Sequence, residues 1–369
     1  MSLFFVSLCA SLVATYLVIV AASRSAHSHD NDLSGPQKFH AVPVPRVGGG
    51  GILSGVLVAW VFLIVSGQSS AANLLGGLLI AAAPTFFSGV AEDLTKNVSP
   101  RRRLAFTALS AAVAAYLLDA KLGPVGIPGL DWALSVPLIA AALTVFAVTG
   151  LTNAVNIIDG FNGLAAACVA MMLAAFGFVS YCLGDQDLLI VCVLLIGSIA
   201  GFFVFNFPMG KIFLGDGGAY FLGFMLAELA VLLLSRHPEL AASFPLLVCA
   251  YPVFETLFSI YRKLFLRNMS PGVPDGVHLH MLVYKRLMRV GFGVRTPDAL
   301  TRRNSYTSPY LWALCAAAVG TALLFWRTPA AQIFALLCFA GVYVWLYWRI
   351  VRFQAPKFLV VTSAETPEA

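Results

Sequence analysis

The sequence predicts an all-α protein, a polytopic membrane helical bundle of about 11 transmembrane helices. Three observations lead there. Of 369 residues, 60% are hydrophobic and 11% are charged, where a soluble domain carries about 25% charge. Apolar runs long enough to cross a bilayer recur along the whole chain. Finally, the Lys and Arg residues between those runs fall almost wholly on one side of their alternation.

The runs are roughly 3–22, 48–67, 72–91, 104–119, 133–151, 163–182, 186–206, 217–235, 241–261, 308–326 and 331–350. No basic stretch precedes the first, so it reads as a first helix and not as a signal peptide. The segments after the odd-numbered runs hold Arg24, Lys38 and Arg46; Lys96 and Arg101 to Arg103; Lys211; and nine basic residues between Arg262 and Arg303. With Arg349, Arg352 and Lys357 of the tail, that side carries 20 of the 23 Lys and Arg; Lys121, Arg236 and Arg327 lie opposite. The positive-inside rule makes the basic side cytoplasmic, with the N-terminus outside and the C-terminus inside. Residues 1–350 form one integral-membrane domain and 351–369 a cytoplasmic tail. The seven Cys all lie within apolar runs and read as small buried hydrophobes. There is no internal repeat, and no pair of Gly/Pro-broken helices of the kind that marks an inverted-repeat transporter.

The polar clusters share the basic side. The densest is Asn153 to Leu164, where Asn153, Asn156, Asp159 and Asn162 stand between two apolar runs. Such a cluster is costly unless it meets water, a metal or a ligand. Before it, Lys38 and Arg46 flank prolines that lead into Gly48 to Gly51. Backbone N–H groups at that helix start, with an arginine fork, suit an anion; a turn with positive-inside charges explains the same residues. Glu92 and Asp93 end a run beside Lys96. Adjacent carboxylates repel, so one is easier to protonate, which suits a general base or a metal contact; an exposed acidic pair linked to Lys96 is the plainer alternative. Asp216 sits in Gly215-Asp216-Gly217-Gly218 at a helix start, as an N-cap or as an oxygen ligand to a hard cation. His278 and His280, two of six His, lie one residue apart in a Pro/Gly-rich segment, where extended backbone puts both on one side. Glu228, deep in an apolar run, is expected to pair within the bundle. Glu255 lies near the basic end of its run, within reach of the site.

These loops, in order and over nearly the whole chain, resemble the polyprenyl-phosphate N-acetylhexosamine-1-phosphate transferase family. The likeness rests on Glu92-Asp93-Leu94-Thr95-Lys96, Asn153 to Leu164, Phe213 to Gly218, Pro274 to His280 and Lys38 to Gly51. The resemblance implies Mg²⁺-dependent transfer (Mn²⁺ as substitute) of a sugar-1-phosphate from a UDP-sugar to undecaprenyl phosphate, with release of UMP. It implies that Asp216 binds the metal and that Asp93, with Glu92, orients or deprotonates the lipid phosphate. Asn156 and Asp159 would line the metal–pyrophosphate site, and His278 and His280 would contact the donor phosphates. Lys38, Arg46, Lys96, Asn153 and Asn162 complete the expected substrate contacts. Three positions depart from the family pattern: Glu92 and Asn162 each replace an Asp, and Met281 replaces a His. The expected setting is the inner membrane of a bacterium, with the site facing the cytoplasm; GlcNAc is the leading donor sugar. A homodimer is compatible with the sequence, and nothing in it suggests a nucleic-acid partner. The rival classes are a membrane transporter and a lipid-phosphate or pyrophosphate hydrolase.

Overall fold

The computed structural model describes residues 2–22, 44–270, 272–273, 275–288, 296–356 and 359–360. Lys38 lies outside them. The described residues are helical throughout, with no strand. In order the helices are α1 (Ser2–Ala22), α2 (Gly48–Val65), α3 (Ser69–Thr95), α4 (Pro100–Leu117), α5 (Pro128–Leu134), α6 (Pro137–Ile158), α7 (Leu164–Leu183), α8 (Gln186–Asn206), α9 (Gly215–Arg236), α10 (Ser243–Val248), α11 (Ala250–Tyr261), α12 (Leu279–Leu282), α13 (Pro297–Leu324) and α14 (Pro329–Val351). Two π-helical turns, Arg262–Leu266 and Val283–Leu287, extend α11 and α12.

Among the described residues nine helices are long and apolar enough to cross a membrane, against the eleven runs expected. The difference lies in two places. The run at 104–119 falls within α4, whose first turn carries Arg101, Arg102 and Arg103. The run at 241–261 is divided at Cys249 into α10 and α11. Pro252 explains the break: it has no N–H to donate to Val248, and its ring crowds that carbonyl.

Local chemistry sets the other boundaries. Pro begins α4, α6, α13 and α14, where its missing N–H costs nothing and its fixed φ suits a helix. Ser99, Asp185 and Thr296 cap α4, α8 and α13 by accepting the N–H of Arg102, Leu188 and Ala299. Gly184, at φ 79°, ends α7 in the left-handed conformation.

The centre of the bundle is α9, where almost every residue from Gly217 to Leu233 is buried. It packs against α2, α3, α6 and α7, while α1 lies outside against α2 and α8. Glu228 sits fully buried in α9, and neither carboxylate oxygen has a hydrogen-bond partner. Among the described residues the expected pairing within the bundle is absent.

At the start of α9 three helices meet backbone to backbone. A Cβ on Gly49 would lie within 2.5 Å of Gly218 Cα, and one on Gly89 would lie 2.6 Å from Gly217 N. Gly48, Gly49 and Gly51, at the start of α2, therefore serve packing. The N–H groups of this stretch are also engaged: Gly48 N donates to Phe213 O (3.0 Å), Gly49 N to Leu214 O (2.9 Å) and Gly50 N to Val47 O (3.1 Å). The reading of these N–H groups as an anion cradle does not hold.

Gly49→Ala is therefore expected to destabilise the protein by roughly 1–3 kcal/mol, the usual cost of overpacking. Gly50→Ala, whose Cβ would meet nothing within 4 Å, should leave stability unchanged or raise it. Thermal unfolding of the two purified variants in detergent checks the contrast.

Candidate active site

The start of α9 carries the first functional group. Gly215 has φ 75°, and a Cβ there would lie 2.7 Å from Asp93 Oδ2. This close approach lets Asp93, at the end of α3, cap α9 from outside. Asp93 Oδ1 accepts Asp216 N–H (2.9 Å) and Oδ2 accepts Gly217 N–H (2.9 Å). A carboxylate at a helix N-terminus is favoured both by these bonds and by the helix dipole. Asp216 follows on the helix with its carboxylate toward two guanidinium groups. Arg103 Nη1 pairs with Oδ2, and Arg46 Nη2 lies 3.7 Å from Oδ1. Arg46 Nε is also 3.8 Å from Asp93 Oδ1.

In front of this junction is a cavity of about 610 Å³. Its wall draws on seven separate stretches of chain, from Arg46 to Asn304. Arg46, Glu92, Arg103, Asn153, Asn156, Asp159, Asn162, Asp216, His278 and His280 all line it. Of the described residues expected to be catalytic, substrate-binding or metal-binding, two do not. Asp93, expected as a catalytic group, lies behind the wall with both oxygens bonded to α9. Lys96 ends α3 in the left-handed conformation at φ 55°, outside the lining. Glu92 lines the cavity while Oε2 accepts Val98 N–H (2.7 Å), which ties it to the turn after α3.

The Asn/Asp loop enters from the end of α6. Asn153 Oδ1 accepts a long hydrogen bond from Tyr220 OH (3.4 Å). Asp159 follows the last turn of α6 and is part-buried. Burial pushes its carboxyl from the ordinary 3.8 up to about 7, against the pull of the Arg46 guanidinium. Asn162, expected to bind substrate, is mainly an anchor. Its N–H donates to Asn304 Oδ1 (2.8 Å), its Nδ2 to Ser305 Oγ (3.0 Å), and its carbonyl accepts Ser308 Oγ (2.6 Å). Only its Oδ1 lacks a hydrogen-bond partner.

The third contribution comes from α11 and the segment before α12. Glu255 is fully buried and accepts from His278 Nδ1 (2.8 Å) and from Tyr343 OH (2.9 Å). The rings of His278 and His280 stack 5.4 Å apart and 2° from parallel. His280 is fully buried and neither of its ring nitrogens has a hydrogen-bond partner. Burial, with His278 beside it, outweighs the attraction of Glu255 and takes its pKa down to about 3, so the ring is neutral. A Cβ on Gly160 would lie 3.1 Å from His280 Nε2; the glycine of the Asn/Asp loop thus leaves room for that nitrogen.

Sequence reasoning missed several members. Asn206 and Asn304 line the cavity and brace the Asn/Asp loop, Asn206 Oδ1 accepting Gly163 N–H (2.6 Å). Each is an amide at the edge of an apolar run, which is the same signal that drew attention to Asn153. Arg103 was read only as a positive-inside charge, yet it lies directly on Asp216.

The oxygen donors facing the cavity suit a hard divalent cation. Among the described residues no group of three or more His, Cys, Asp or Glu could hold a metal. Mg²⁺ needs no such cage, because it takes one or two carboxylates and completes its shell with water and phosphate oxygens. Asp216 offers a carboxylate whose charge is met here by guanidinium groups alone, and Asp159, Asn153 and Asn156 add oxygens on the same wall.

The comparisons agree with this geometry. Residues 74–234 match the model of glycosyl transferase family 4. A probable undecaprenyl-phosphate N-acetylglucosaminyl 1-phosphate transferase of Bacillus subtilis (strain 168) is 29% identical over 294 residues, 79% of this chain and 78% of that protein. A phospho-N-acetylmuramoyl-pentapeptide-transferase of Streptococcus agalactiae serotype Ia is 28% identical over 247 residues, 62% of this chain and 74% of that protein. A protein of the same name from Streptococcus pneumoniae serotype 19F is 29% identical over 268 residues, 68% of this chain and 79% of that protein.

The raised Asp159 carboxyl has a consequence for stability. Between its ordinary value and about 7 the folded chain holds a proton that the unfolded chain has lost. Its contribution is therefore present at low pH and is lost as pH rises through about 7. His280 works in the opposite direction, since the unfolded chain binds the proton between about 3 and 6.5. The comparison is thus with Asp159→Asn, which removes only the first effect. Its thermal midpoint should fall less than that of the wild type between about pH 5 and pH 8; parallel curves would contradict the assignment.

Proposed function

We propose that the protein transfers an N-acetylhexosamine-1-phosphate from a UDP-sugar to undecaprenyl phosphate and releases UMP. A phosphate oxygen of the lipid attacks the β-phosphorus of the donor, and the bond from that phosphorus to the oxygen bridging to the α-phosphorus breaks. GlcNAc is the leading donor sugar, as in the name of the Bacillus relative. The observation that carries the reading is the convergence of acidic, guanidinium and imidazole groups on one cavity, at the end of the bundle that bears most of the basic residues. By the positive-inside rule that end faces the cytoplasm, where nucleotide donors are made, and the N-terminus is outside. The lipid acceptor would reach the cavity past Leu104, Ile157 and Ile260, apolar members of its wall.

Two anions must meet for this reaction, so screening of charge is the first requirement. Arg46, Arg103 and Lys263 line the cavity and supply fixed positive charge for phosphate oxygens. Asp159, titrating near neutrality, is placed to take or hold a proton of the lipid phosphate; in the sequence that role fell to Glu92 and Asp93. Asp93 instead keeps Asp216 in place through the first turn of α9. His278 and His280 face the cavity as hydrogen-bonding groups for the donor phosphates. Asp216, with Asp159 and the Asn156 amide, would hold Mg²⁺, which supplies Lewis-acid neutralisation of the pyrophosphate when bound.

The test uses membranes containing the protein, undecaprenyl phosphate, Mg²⁺ and a panel of UDP-sugars, with UMP as readout. UMP release that needs both lipid and metal is expected, and the best donor names the sugar. Asp216→Ala should lower turnover by about 100-fold or more, as loss of one preorganised charge does, with the fold retained. UMP formed without lipid would identify a hydrolase, and wild-type turnover in Asp216→Ala would remove it from the metal site.

A further inference from the structure

We infer that Glu255 and Tyr343 are positioning residues for His278. Together they keep a proton on its Nδ1 and leave Nε2 as the nitrogen presented to the cavity. The inference rests on the transferase reading for the importance of that nitrogen, but not for its geometry.

The argument starts from the carboxylate. Glu255 lies on α11, fully buried, and among the described residues its paired basic group is the His278 imidazole. An ionised carboxylate only accepts hydrogen bonds. Three groups from three elements point at it. His278 Nδ1 is 2.8 Å from Oε1. The Leu279 N–H, at the start of α12, lies 3.2 Å from Oε1 and 3.3 Å from Oε2. Tyr343 OH, from α14, is 2.9 Å from Oε2. Since Glu255 can only accept, His278 must donate from Nδ1. The bond that one ring nitrogen makes thus decides what the other can do.

Helix α14 fixes this arrangement from behind. Tyr343 and Tyr347 are one helical turn apart and face the same way. Tyr343 reaches the acid; Tyr347 OH donates to Val277 O (3.1 Å) and accepts from Arg262 Nη1 (2.9 Å). Arg262 in turn pairs with Asp275, which also meets Arg267 (3.2 Å). The segment from Asp275 to Leu279 is therefore bound on both sides of His278. Phe258 and Phe339 pack against the Tyr343 ring, so its orientation does not depend on the hydroxyl. His280 stacks on the far face of His278 and is neutral. Among the described residues, the charged or titratable groups around His278 include Glu255, Tyr343, His280 and Asp275, and only Glu255 bonds to its ring.

The test reads the proton directly. In protein labelled with ¹⁵N-histidine, at about pH 8.5 and without donor, the His278 signal is assigned by its loss in His278→Gln. The wild type should show Nδ1–H. Glu255→Leu, which removes the acceptor, should move the proton to Nε2 and lower turnover by about 100-fold. Glu255→Gln retains a carbonyl acceptor, so it should keep Nδ1–H and recover at least about a tenth of wild-type turnover. Tyr343→Phe should keep the fold and Nδ1–H while lowering turnover several-fold. A purely structural role would tie activity to the thermal midpoint whatever the tautomer. The inference is overturned if wild-type His278 carries its proton on Nε2, or if Glu255→Leu folds and turns over like the wild type. If Glu255→Leu does not fold, the wild-type spectrum and the Tyr343→Phe rate decide. Absence of UMP release by the wild type would overturn the transferase reading alone, because the tautomer is measured without substrate.

Discussion

The structure depends on the way Asp93 holds the first turn of α9. A helix start buried in a bundle leaves N–H groups that water cannot reach, and each unsatisfied group costs about 1–3 kcal/mol. Asp93 satisfies two of them, at Asp216 and Gly217, from a different helix. The bonds are made only because α2, α3 and α9 approach through Gly49, Gly89, Gly217 and Gly218. Close packing and polar satisfaction are therefore one constraint. The same turn that is capped presents Asp216 to the cavity, so the position of that carboxylate is set by the core of the bundle and not by a loop.

Much of this was legible in the sequence because lipid simplifies the code. A residue such as Asn156 or Asp216 stands out against hydrocarbon, and the alternation of basic loops places it on one side. What the sequence could not show is which polar groups face a ligand and which face each other. Asp93 and Glu92 are neighbours, yet one is bonded to α9 and the other lines the cavity. Asn162 binds Asn304 across 142 residues of chain, a pairing no local pattern encodes. The break at Cys249 follows from Pro252, inside a hydrophobic run that reads as one straight helix, and the π-turns after α11 and α12 lie beyond the apolar runs.

Glu228 marks a different boundary. Composition drew attention to it, and an expectation of pairing followed from the high cost of a lone charge in an apolar core. The helix around it is the most buried of the bundle, and among the described residues no hydrogen-bond partner reaches either oxygen. The sequence shows the acid in its apolar run, but whether a partner reaches it is decided by the packing of the neighbouring helices.

Charged groups of the cavity wall meet one another. Arg46 and Arg103 are turned to Asp216, and Arg46 also faces Asp93. A pyrophosphate entering this space offers the guanidinium groups a second set of anionic oxygens, in competition with the carboxylates they already meet. The competition cannot be resolved by the arginines alone, because releasing Asp216 leaves a part-buried carboxylate without a counter-charge. Either the phosphate must share the arginines with Asp216, or another cation must take the carboxylate over. Asp159 adds to the same balance, since its proton uptake near neutrality removes one negative charge from the wall that faces the incoming anion. In the proposed reaction between two anions, a ligand that brings its own cation or its own proton would relieve this competition.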